Sequence, residues 1–100
     1  MKYRFSPAAD KRQDEIWTYT VKTWSEDQAV QYIKGLHKAI QNAAADPKSW
    51  HKVNHPNFPD IFYIRYEKHF IFFRLLSDGV LGVIDILHER MDIPNRLKDL

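Results

Sequence analysis

The chain has 100 residues, a formal net charge of +2 and no cysteine. This length suits a single domain, residues 1–100, and is too short for two independent hydrophobic cores. The lack of cysteine excludes a disulfide framework, and the small net charge does not by itself indicate nucleic-acid binding. No apolar run approaches the ~20 residues of a membrane span, and the N-terminus lacks the apolar core of a signal peptide. We therefore expect a cytoplasmic protein without membrane contact.

The chain is predicted to begin with a short strand followed by a helix. Lys2–Phe5 alternates charged and aromatic side chains, which is typical of a strand. Ser6 is a favourable N-cap, and Pro7 suits the first helical position because its missing N–H would be unpaired there anyway. We expect the helix to run to Trp24. Its apolar stripe has the spacing of one helical face and comprises Ile16, Trp17, Thr20, Val21 and Trp24.

A second helix is predicted to begin at Ser25. The run from Ser25 to Gln28 matches a capping box, and its acidic first turn suits the positive end of the helix dipole. The helix ends at Asp46, because Pro47 disfavours helical backbone in the residue before it. Almost no loop separates the two helices, so we expect a helical hairpin that covers one apolar surface. Its stripe comprises Ala29, Ile33, Leu36, Ile40 and Ala43.

The segment Pro47–Asp60 contains three prolines and is predicted to hold little regular structure. It carries Trp50, which we expect to be available for contact with a partner. His51 and His55 have i, i+4 spacing, which forms a metal site on a helix when a third ligand is near. Pro56 and the absence of cysteine argue against such a site. We expect neither a metal nor another cofactor.

Three strands are predicted to form the centre of the fold: Ile61–Tyr66, His69–Leu76 and Val80–His88. Each is rich in aromatic and β-branched residues. Glu67-Lys68 and Asp78-Gly79 are interpreted as two-residue hairpin links, since Gly adopts positive φ without steric cost. The resulting register pairs Tyr66 with His69, Ile64 with Ile71, Phe62 with Phe73, Phe73 with Ile84 and Ile71 with Ile86.

This register divides the side chains of the sheet between a core face and an open face. The predicted core face carries Phe62, Ile64, Tyr66, Ile71, Phe73, Leu75, Ile84 and Ile86. The predicted open face carries Ile61, Tyr63, Arg65, Phe70, Phe72, Arg74, Leu76, Leu81, Val83, Asp85 and Leu87. Asp85 is expected to lie diagonal to Arg74 and within reach of Arg65. The open face is too apolar for plain solvent surface, which favours a role in binding a partner.

The elements follow the order β-α-α-β-β-β, with one further helical turn predicted around Asn95–Leu100. An antiparallel meander with a helical hairpin on one face is an α+β fold.

Particular segments of the chain resemble a known family. The chain begins with Tyr3-x-Phe5-Ser6-Pro7-x-Ala9 and continues with Ile16-Trp17-x-Tyr19-Thr20. The helix junction reads Trp24-Ser25-x-x-Gln28-Ala29-x-x-Tyr32, and a strand reads His69-x-Ile71-x-Phe73-Arg74. The last segment is Ile86-Leu87-His88-x-x-Met91-Asp92. Together they resemble the ParE branch of the RelE/ParE toxin superfamily over nearly the whole chain.

The resemblance implies a toxin of a type II toxin–antitoxin module, as used in plasmid stabilisation. ParE-like toxins poison DNA gyrase by trapping its cleaved-DNA state, and a ParD-like antitoxin neutralises them in a hetero-oligomer. The implied partners are thus an antitoxin and gyrase with its bound DNA. We expect the antitoxin to contact the open face, at Arg65, Phe70, Phe72, Arg74, Leu81 and Val83. The candidate contacts to the target are Trp50, His88 and Arg90.

Two other functions remain open. RelE-like relatives share the fold and cut mRNA on the ribosome, a reaction that needs a base, an acid and cations. Arg65, Arg74 and His88 are the candidate catalytic residues of that alternative, although the C-terminal tail has no Tyr or His beyond His88. The third alternative is a folded relative that binds an antitoxin but has lost toxicity. The leading interpretation is a non-enzymatic gyrase poison with no catalytic residue.

Overall fold

The computed structural model describes residues 2–97. Its elements are β1 (Tyr3–Phe5), α1 (Pro7–Thr23), α2 (Glu26–Ala45), a 3₁₀ turn (Pro47–Ser49), β2 (His51–Lys52), β3 (Phe62–Tyr66), β4 (His69–Leu75), β5 (Leu81–His88) and α3 (Ile93–Leu97). Most of the predicted boundaries agree with these to within one or two residues. The predicted C-terminal turn starts two residues late, and residues 98–100 lie outside the described part.

Both long helices begin at the predicted caps. The backbone N–H of Ala9 donates to the Ser6 side chain at 3.1 Å, and that of Gln28 donates to the Ser25 side chain at 3.0 Å. Each cap satisfies one of the N–H groups that have no partner within the helix. The two helices form the expected hairpin, with buried residues on the faces turned inward.

The sheet has five strands in the order β1-β5-β4-β3-β2. β1 runs parallel to β5, whereas β2, β3, β4 and β5 pair antiparallel. The α+β architecture and the meander are therefore confirmed. The segment Pro47–Asp60 holds little regular structure, as expected: the 3₁₀ turn is followed by a two-residue edge strand, in which His51 and Lys52 pair with Tyr63 and Phe62.

The predicted register is correct between β3 and β4 and only half correct between β4 and β5. Ile71 lies opposite Ile86 as expected, but Phe73 lies opposite Val83 rather than Ile84. The ladder shifts between Phe72 and Phe73, which leaves Ile84 as the extra residue of a β-bulge. The Ser6 hydroxyl donates to the Ile84 carbonyl at 2.8 Å, so the helix cap also supports the bulge.

The bulge exchanges side chains between the two faces of the sheet. Leu81 and Val83 are fully buried in the core under the helices, in place of the expected Ile84. Ile84 packs instead against the cluster on the opposite face, and Leu75 is 52% exposed. The predicted faces of Leu81, Val83 and Ile84 are wrong, because the turn and the bulge shift this end of β5 by one residue. Leu75 lies opposite the buried Leu81 and keeps its predicted face, at the exposed end of β4.

A second, smaller core covers the face that the sequence predicts to be open. Val53 and Ile61 come from the segment before β3, and they are buried against Phe72 and Leu87. Around them lie half-buried apolar side chains, among them two from the segment after β5: Phe58, Tyr63, Phe70, Ile84, Met91 and Ile93. The proline-rich segment thus folds over the sheet and leaves Phe72 only 3% exposed.

Among residues 2–97, neither α1 nor α2 combines the length and apolarity that a bilayer span requires.

Candidate functional site

A groove of about 670 Å³ lies between the junction of α1 with α2 and the end of the sheet formed by the β3–β4 turn and β5. We call it the junction groove. It is lined by Arg12, Glu15, Ile16, Tyr19, Thr20, Trp24, Gln28, Tyr32, Glu67, Lys68, His69, Ile86, His88, Arg90 and Met91. Such a concave surface with apolar and charged groups is the default candidate for a binding site.

Two aromatic side chains stand exposed at the helical end of the groove. Trp24 is 74% exposed and Tyr19 is 66% exposed. Trp24 belongs to the predicted apolar stripe of α1, and it lines this groove and not the core. Val21, on the same stripe, is 36% exposed. Exposed aromatic residues beside a groove are typical of protein interfaces.

An ion pair fixes one wall of the groove. Nε of Arg12 lies 3.1 Å from the carboxylate of Asp85, and Nη1 lies 3.0 Å from the carboxylate of Glu15. Burial tends to lower the pKa of Arg12, but the hydrogen bonds to Glu15 and Asp85 outweigh it and the pKa is raised. The predicted approach of Asp85 to Arg65 or Arg74 is wrong, since Asp85 pairs with α1 instead.

Two histidines and a tyrosine meet deeper in the groove. The Tyr32 hydroxyl and Nδ1 of His69 are 2.6 Å apart, and the rings of His69 and His88 pack edge to face at 5.0 Å. Burial, reinforced by the nearby His88, lowers the pKa of His69 to about 4. Burial also raises the pKa of Tyr32 to about 12. At neutral pH a protonated Tyr32 hydroxyl and a neutral His69 imidazole therefore share this hydrogen bond.

The β3–β4 turn forms the opposite wall with a strained backbone. Glu67 has φ of 51°, a conformation that favours glycine. Nε of Arg65 donates to the Glu67 carbonyl at 2.9 Å, and the backbone N–H of Glu89 donates to the Lys68 carbonyl at 2.9 Å. These bonds from two neighbouring segments hold the turn in place, so its conformation is imposed by the fold.

The three residues of the ribonuclease alternative do not converge. His88 lies opposite His69 at one end of the β4–β5 ladder, and Arg74 lies opposite Gly82 towards the other. Five residues along a strand separate them by about 16 Å. Arg65 pairs with Glu89 near the His88 end, and Arg74 lies 3.7 Å from the carboxylate of Asp60.

Of the six residues predicted to bind the antitoxin, three are accessible in the fold and three are buried. Arg65 is exposed and its guanidinium lies 5.4 Å from the ring centre of Phe70, which is half-buried. Arg74 is also half-buried. Phe72 is buried in the second core, and Leu81 and Val83 are buried under the helices. The placement of Leu81 and Val83 on the open face is therefore wrong.

The three candidate contacts to the target do not lie at one site. Trp50 is half-buried: its indole N–H donates to the Ala43 carbonyl at 2.7 Å and its ring packs on Phe62 and Phe73. It is a core residue in this fold. His88 and Arg90 both line the junction groove.

Sequence reasoning selected His88 and Arg90 from this groove but did not identify the groove or the exposed aromatic pair of Tyr19 and Trp24. A signal was present, since Tyr19 and Trp24 both belong to the segments that carry the family resemblance. In residues 2–97 no three side chains of His, Cys, Asp or Glu gather as metal ligands.

Comparisons with known proteins identify the family. Residues 3–93 match the family model described as ParE toxin of type II toxin-antitoxin system, parDE. Toxin ParE1 of Mycobacterium tuberculosis (strain CDC 1551 / Oshkosh) is 35% identical over 96 residues, which are 96% of this chain and 97% of the relative. Toxin ParE of Escherichia coli is 33% identical over 84 residues, covering 84% of this chain and 81% of that protein.

A solved structure shares the fold. A chain of the chromosomal ParDE TA system from P. aeruginosa superposes with a TM-score of 0.73 at 12% identity, and the match covers 88% of this chain and 95% of that chain. The sequence matches show the family, whereas this structural match, at 12% identity, shows the fold alone. The chain belongs to the ParE toxin family of type II toxin–antitoxin systems.

Proposed function

We propose that this protein poisons DNA gyrase in the cytoplasm by trapping gyrase on cleaved DNA, and that a ParD-like antitoxin neutralises it in a hetero-oligomer. It acts by binding and has no catalytic residue or cofactor of its own. The family assignment over residues 3–93 supports the role of a toxin.

One geometric observation favours a poison over a nuclease. Cleavage of RNA through the 2′-hydroxyl needs a base, an acid and cations around one phosphate. Arg74 and His88 lie about 16 Å apart along the ladder, too far to act on the same phosphate. Arg65 is already occupied by the carboxylate of Glu89.

The antitoxin surface that we propose is the part of the predicted set that remains accessible: Arg65, Phe70 and Arg74. Nε of Arg74 is buried and makes no hydrogen bond to any residue that the structure describes. The carboxylate of Asp60, 3.7 Å away, is too distant for a hydrogen bond and is itself exposed. The Arg74 side chain as a whole is 38% exposed, and a carboxylate from the antitoxin would bind its guanidinium with a charge-assisted bond.

Supercoiling assays test the proposed target. Purified protein is incubated with gyrase, ATP and relaxed plasmid, and supercoiled and linear DNA are quantified after protease treatment. We expect loss of supercoiling and accumulation of linear DNA. The His88→Ala and Arg90→Ala variants should trap less cleaved DNA, whereas Lys38→Ala, on the exposed face of α2, should match the parent.

A parallel assay with translating ribosomes tests the nuclease alternative. Full supercoiling together with cleavage of ribosome-bound mRNA would overturn the proposal in favour of a RelE-like endoribonuclease. A protein that is inert in both assays yet binds a ParD-like antitoxin would be a relative without toxicity.

A further inference from the structure

We propose that Arg65 is a positioning residue for the surface that contacts the target. Its guanidinium holds the strained β3–β4 turn, and the turn places Lys68 in the junction groove beside His88 and Arg90. The inference rests on the proposed function, in which His88 and Arg90 contact the target. It adds Lys68 as a third contact and Arg65 as the residue that acts through Lys68.

The β3–β4 turn contains a residue whose backbone conformation is unfavourable for its side chain. Glu67 has φ of 51°, and a two-residue hairpin turn with positive φ normally carries Gly, Asn or Asp at such a position. The β4–β5 turn uses Gly79 for this purpose, at φ of 79°. Other residues keep such a backbone only where their surroundings impose it, and conformations of this kind concentrate at functional sites.

Arg65 imposes the conformation of the turn from the preceding strand. Its Nε donates to the Glu67 carbonyl at 2.9 Å, and its Nη2 pairs with the Glu89 carboxylate. The guanidinium also lies 5.4 Å from the ring centre of Phe70 on β4. One side chain therefore joins the strained residue to β4 and to the segment that follows β5.

Two further hydrogen bonds hold the turn next to Lys68. The backbone N–H of Glu89 donates to the Lys68 carbonyl at 2.9 Å. The next residue, His69, shares a hydrogen bond of 2.6 Å with the Tyr32 hydroxyl on α2. The backbone of Lys68 is thus held between the end of β5 and the second helix, so the direction of its side chain is set by the fold.

The side chains that the turn brings together are accessible to a partner. Lys68 and Arg90 are exposed, and both line the junction groove with His88. Neither cation forms a salt bridge with any residue that the structure describes. Because Lys68 directly follows Glu67, a change in the Glu67 backbone changes the direction of the Lys68 side chain. Arg65 does not line the groove, so its influence there passes through the turn.

Variants in the gyrase assay test the positioning role. Arg65→Ala should trap about tenfold less cleaved DNA, the factor by which strain of this kind changes an equilibrium. Arg65→Lys should trap as little, because an ammonium group lacks the planar fork that reaches both acceptors. Lys68→Ala should also trap less. The double variant Arg65→Ala/Lys68→Ala should lose no more than Lys68→Ala alone, because Arg65 acts through Lys68.

Relief of the strain separates positioning from direct contact. Glycine adopts positive φ at no steric cost, so Glu67→Gly keeps the turn in place when Arg65 is absent. In the Glu67→Gly background, Arg65→Ala should therefore reduce trapping by less than about twofold. Arg4→Ala is the matched control, because it breaks an exposed ion pair with Asp78 beside the turn that already contains Gly79. It should trap as much cleaved DNA as the parent.

Amide hydrogen exchange measures the turn without gyrase. The amide of Glu89 donates to the Lys68 carbonyl, and it should exchange about tenfold faster in Arg65→Ala than in the parent. In Glu67→Gly/Arg65→Ala it should exchange at the parental rate. Amides in the centre of β4 should exchange at the parental rate in every variant, which verifies that the sheet is intact.

Three results would refute the positioning role. Parental trapping by Arg65→Lys would show that only the positive charge matters. An equal loss from Arg65→Ala with and without Glu67→Gly would make Arg65 a direct contact. Parental exchange of the Glu89 amide in Arg65→Ala would show that the turn holds without this side chain.

Failure of the proposed function gives a different result. A parent protein that traps no cleaved DNA overturns the proposed function and the role of Arg65 with it. A parent that traps cleaved DNA, with Arg65 and Lys68 variants that trap as much, overturns the positioning role alone.

Discussion

Arg12 on α1 and Asp85 on β5 form an ion pair with 3.1 Å between Nε and the carboxylate, and Asp85 is the only buried charged residue in the described chain. Asp85 also accepts a hydrogen bond from the backbone N–H of Ile86 at 2.8 Å. The pair joins the first helix to the last strand across 73 residues of sequence. Removal of Arg12 leaves the buried Asp85 carboxylate without its charged partner, whereas removal of Asp85 leaves Arg12 paired with Glu15.

Loss of this pair should cost more stability than loss of an exposed one. Arg12→Met leaves the Asp85 carboxylate buried and unpaired, and we expect a loss of about 3–5 kcal/mol in the free energy of unfolding. The double variant Arg12→Met/Asp85→Leu should be less destabilised than the sum of the single variants. Arg4→Ala breaks an exposed pair with Asp78 and should cost about 0–1 kcal/mol. Urea titrations of Arg12→Met, Asp85→Leu, the double variant and Arg4→Ala measure these free energies of unfolding. If the losses of the two single variants add up to the loss of the double variant, Arg12 and Asp85 are not energetically coupled.

The larger core should be most sensitive at Phe73. This side chain is fully buried and packs on Trp50 and Phe62, so Phe73→Ala should cost about 3–5 kcal/mol. The sequence alone predicts a smaller loss for Phe72→Ala, but Phe72 is buried in the second core, and the structure leads us to expect a substantial loss there too. Leu75→Ala, at an exposed position, should stay within about 0.5 kcal/mol. Equal melting temperatures for Phe72→Ala and Leu75→Ala would contradict the burial of Phe72 in the second core.

The free energy of unfolding should fall as the pH is lowered, because protonation of His69 is less favourable in the folded protein than in the unfolded chain. Its pKa is lowered from an ordinary 6.5 to about 4 in the folded state, so between these values the unfolded chain binds the proton and the folded chain does not. The contribution of neutral His69 is complete above pH 6.5 and is lost as the pH falls towards 4. His69→Gln should flatten the decline in unfolding free energy between about pH 7 and pH 5, and His55→Gln, in an exposed loop, should leave it unchanged. An unaltered decline in His69→Gln would assign the effect to other groups, such as His37.

Gly35 permits a close approach of α2 to the Tyr66 side chain on β3. A Cβ at this position would overlap the Tyr66 hydroxyl and lie 2.7 Å from Cζ of that ring. Gly35→Ala should therefore destabilise the protein, although alanine favours a helix over glycine by about 1 kcal/mol. Tyr66→Phe removes the overlapping oxygen, and we expect it to reduce the cost of Gly35→Ala when the two are combined. A Gly35→Ala variant with a raised melting temperature would show that the tyrosine ring moves aside freely.

The antitoxin surface can be tested at the arginines. Arg74→Ala removes a guanidinium whose Nε is buried without a hydrogen bond to any described residue, and we expect at least tenfold weaker binding of a ParD-like antitoxin, mostly through faster dissociation. Arg65→Ala should also weaken antitoxin binding, whereas Lys11→Ala, on the outer face of α1, should leave the affinity nearly unchanged. Surface plasmon resonance on folded variants measures the rates. If both arginine variants dissociate as slowly as the parent, the antitoxin binds elsewhere, and the junction groove is the next surface to test.

The helices and most of the meander could be predicted from the sequence because their signals are local. Ser6 and Ser25 are caps whose partners lie three residues away, and both helices begin where these residues indicated. The β3–β4 hairpin has a two-residue turn, so its register followed from counting along the chain. The family resemblance rested on segments of the same kind and was confirmed.

The tertiary structure decided the register near Gly79 and the location of the groove. The turn pairs Leu75 with Leu81, one residue away from the pairing that the sequence suggested, and the bulge at Ile84 restores the expected register further on. That bulge is supported by Ser6, 78 residues away, and no local pattern in β5 indicates it. The groove likewise depends on packing, because it arises where α1 ends beside the strand termini and leaves Trp24 uncovered. Periodicity predicts which side of a helix is apolar, but only the packed fold determines whether another element reaches far enough to cover it.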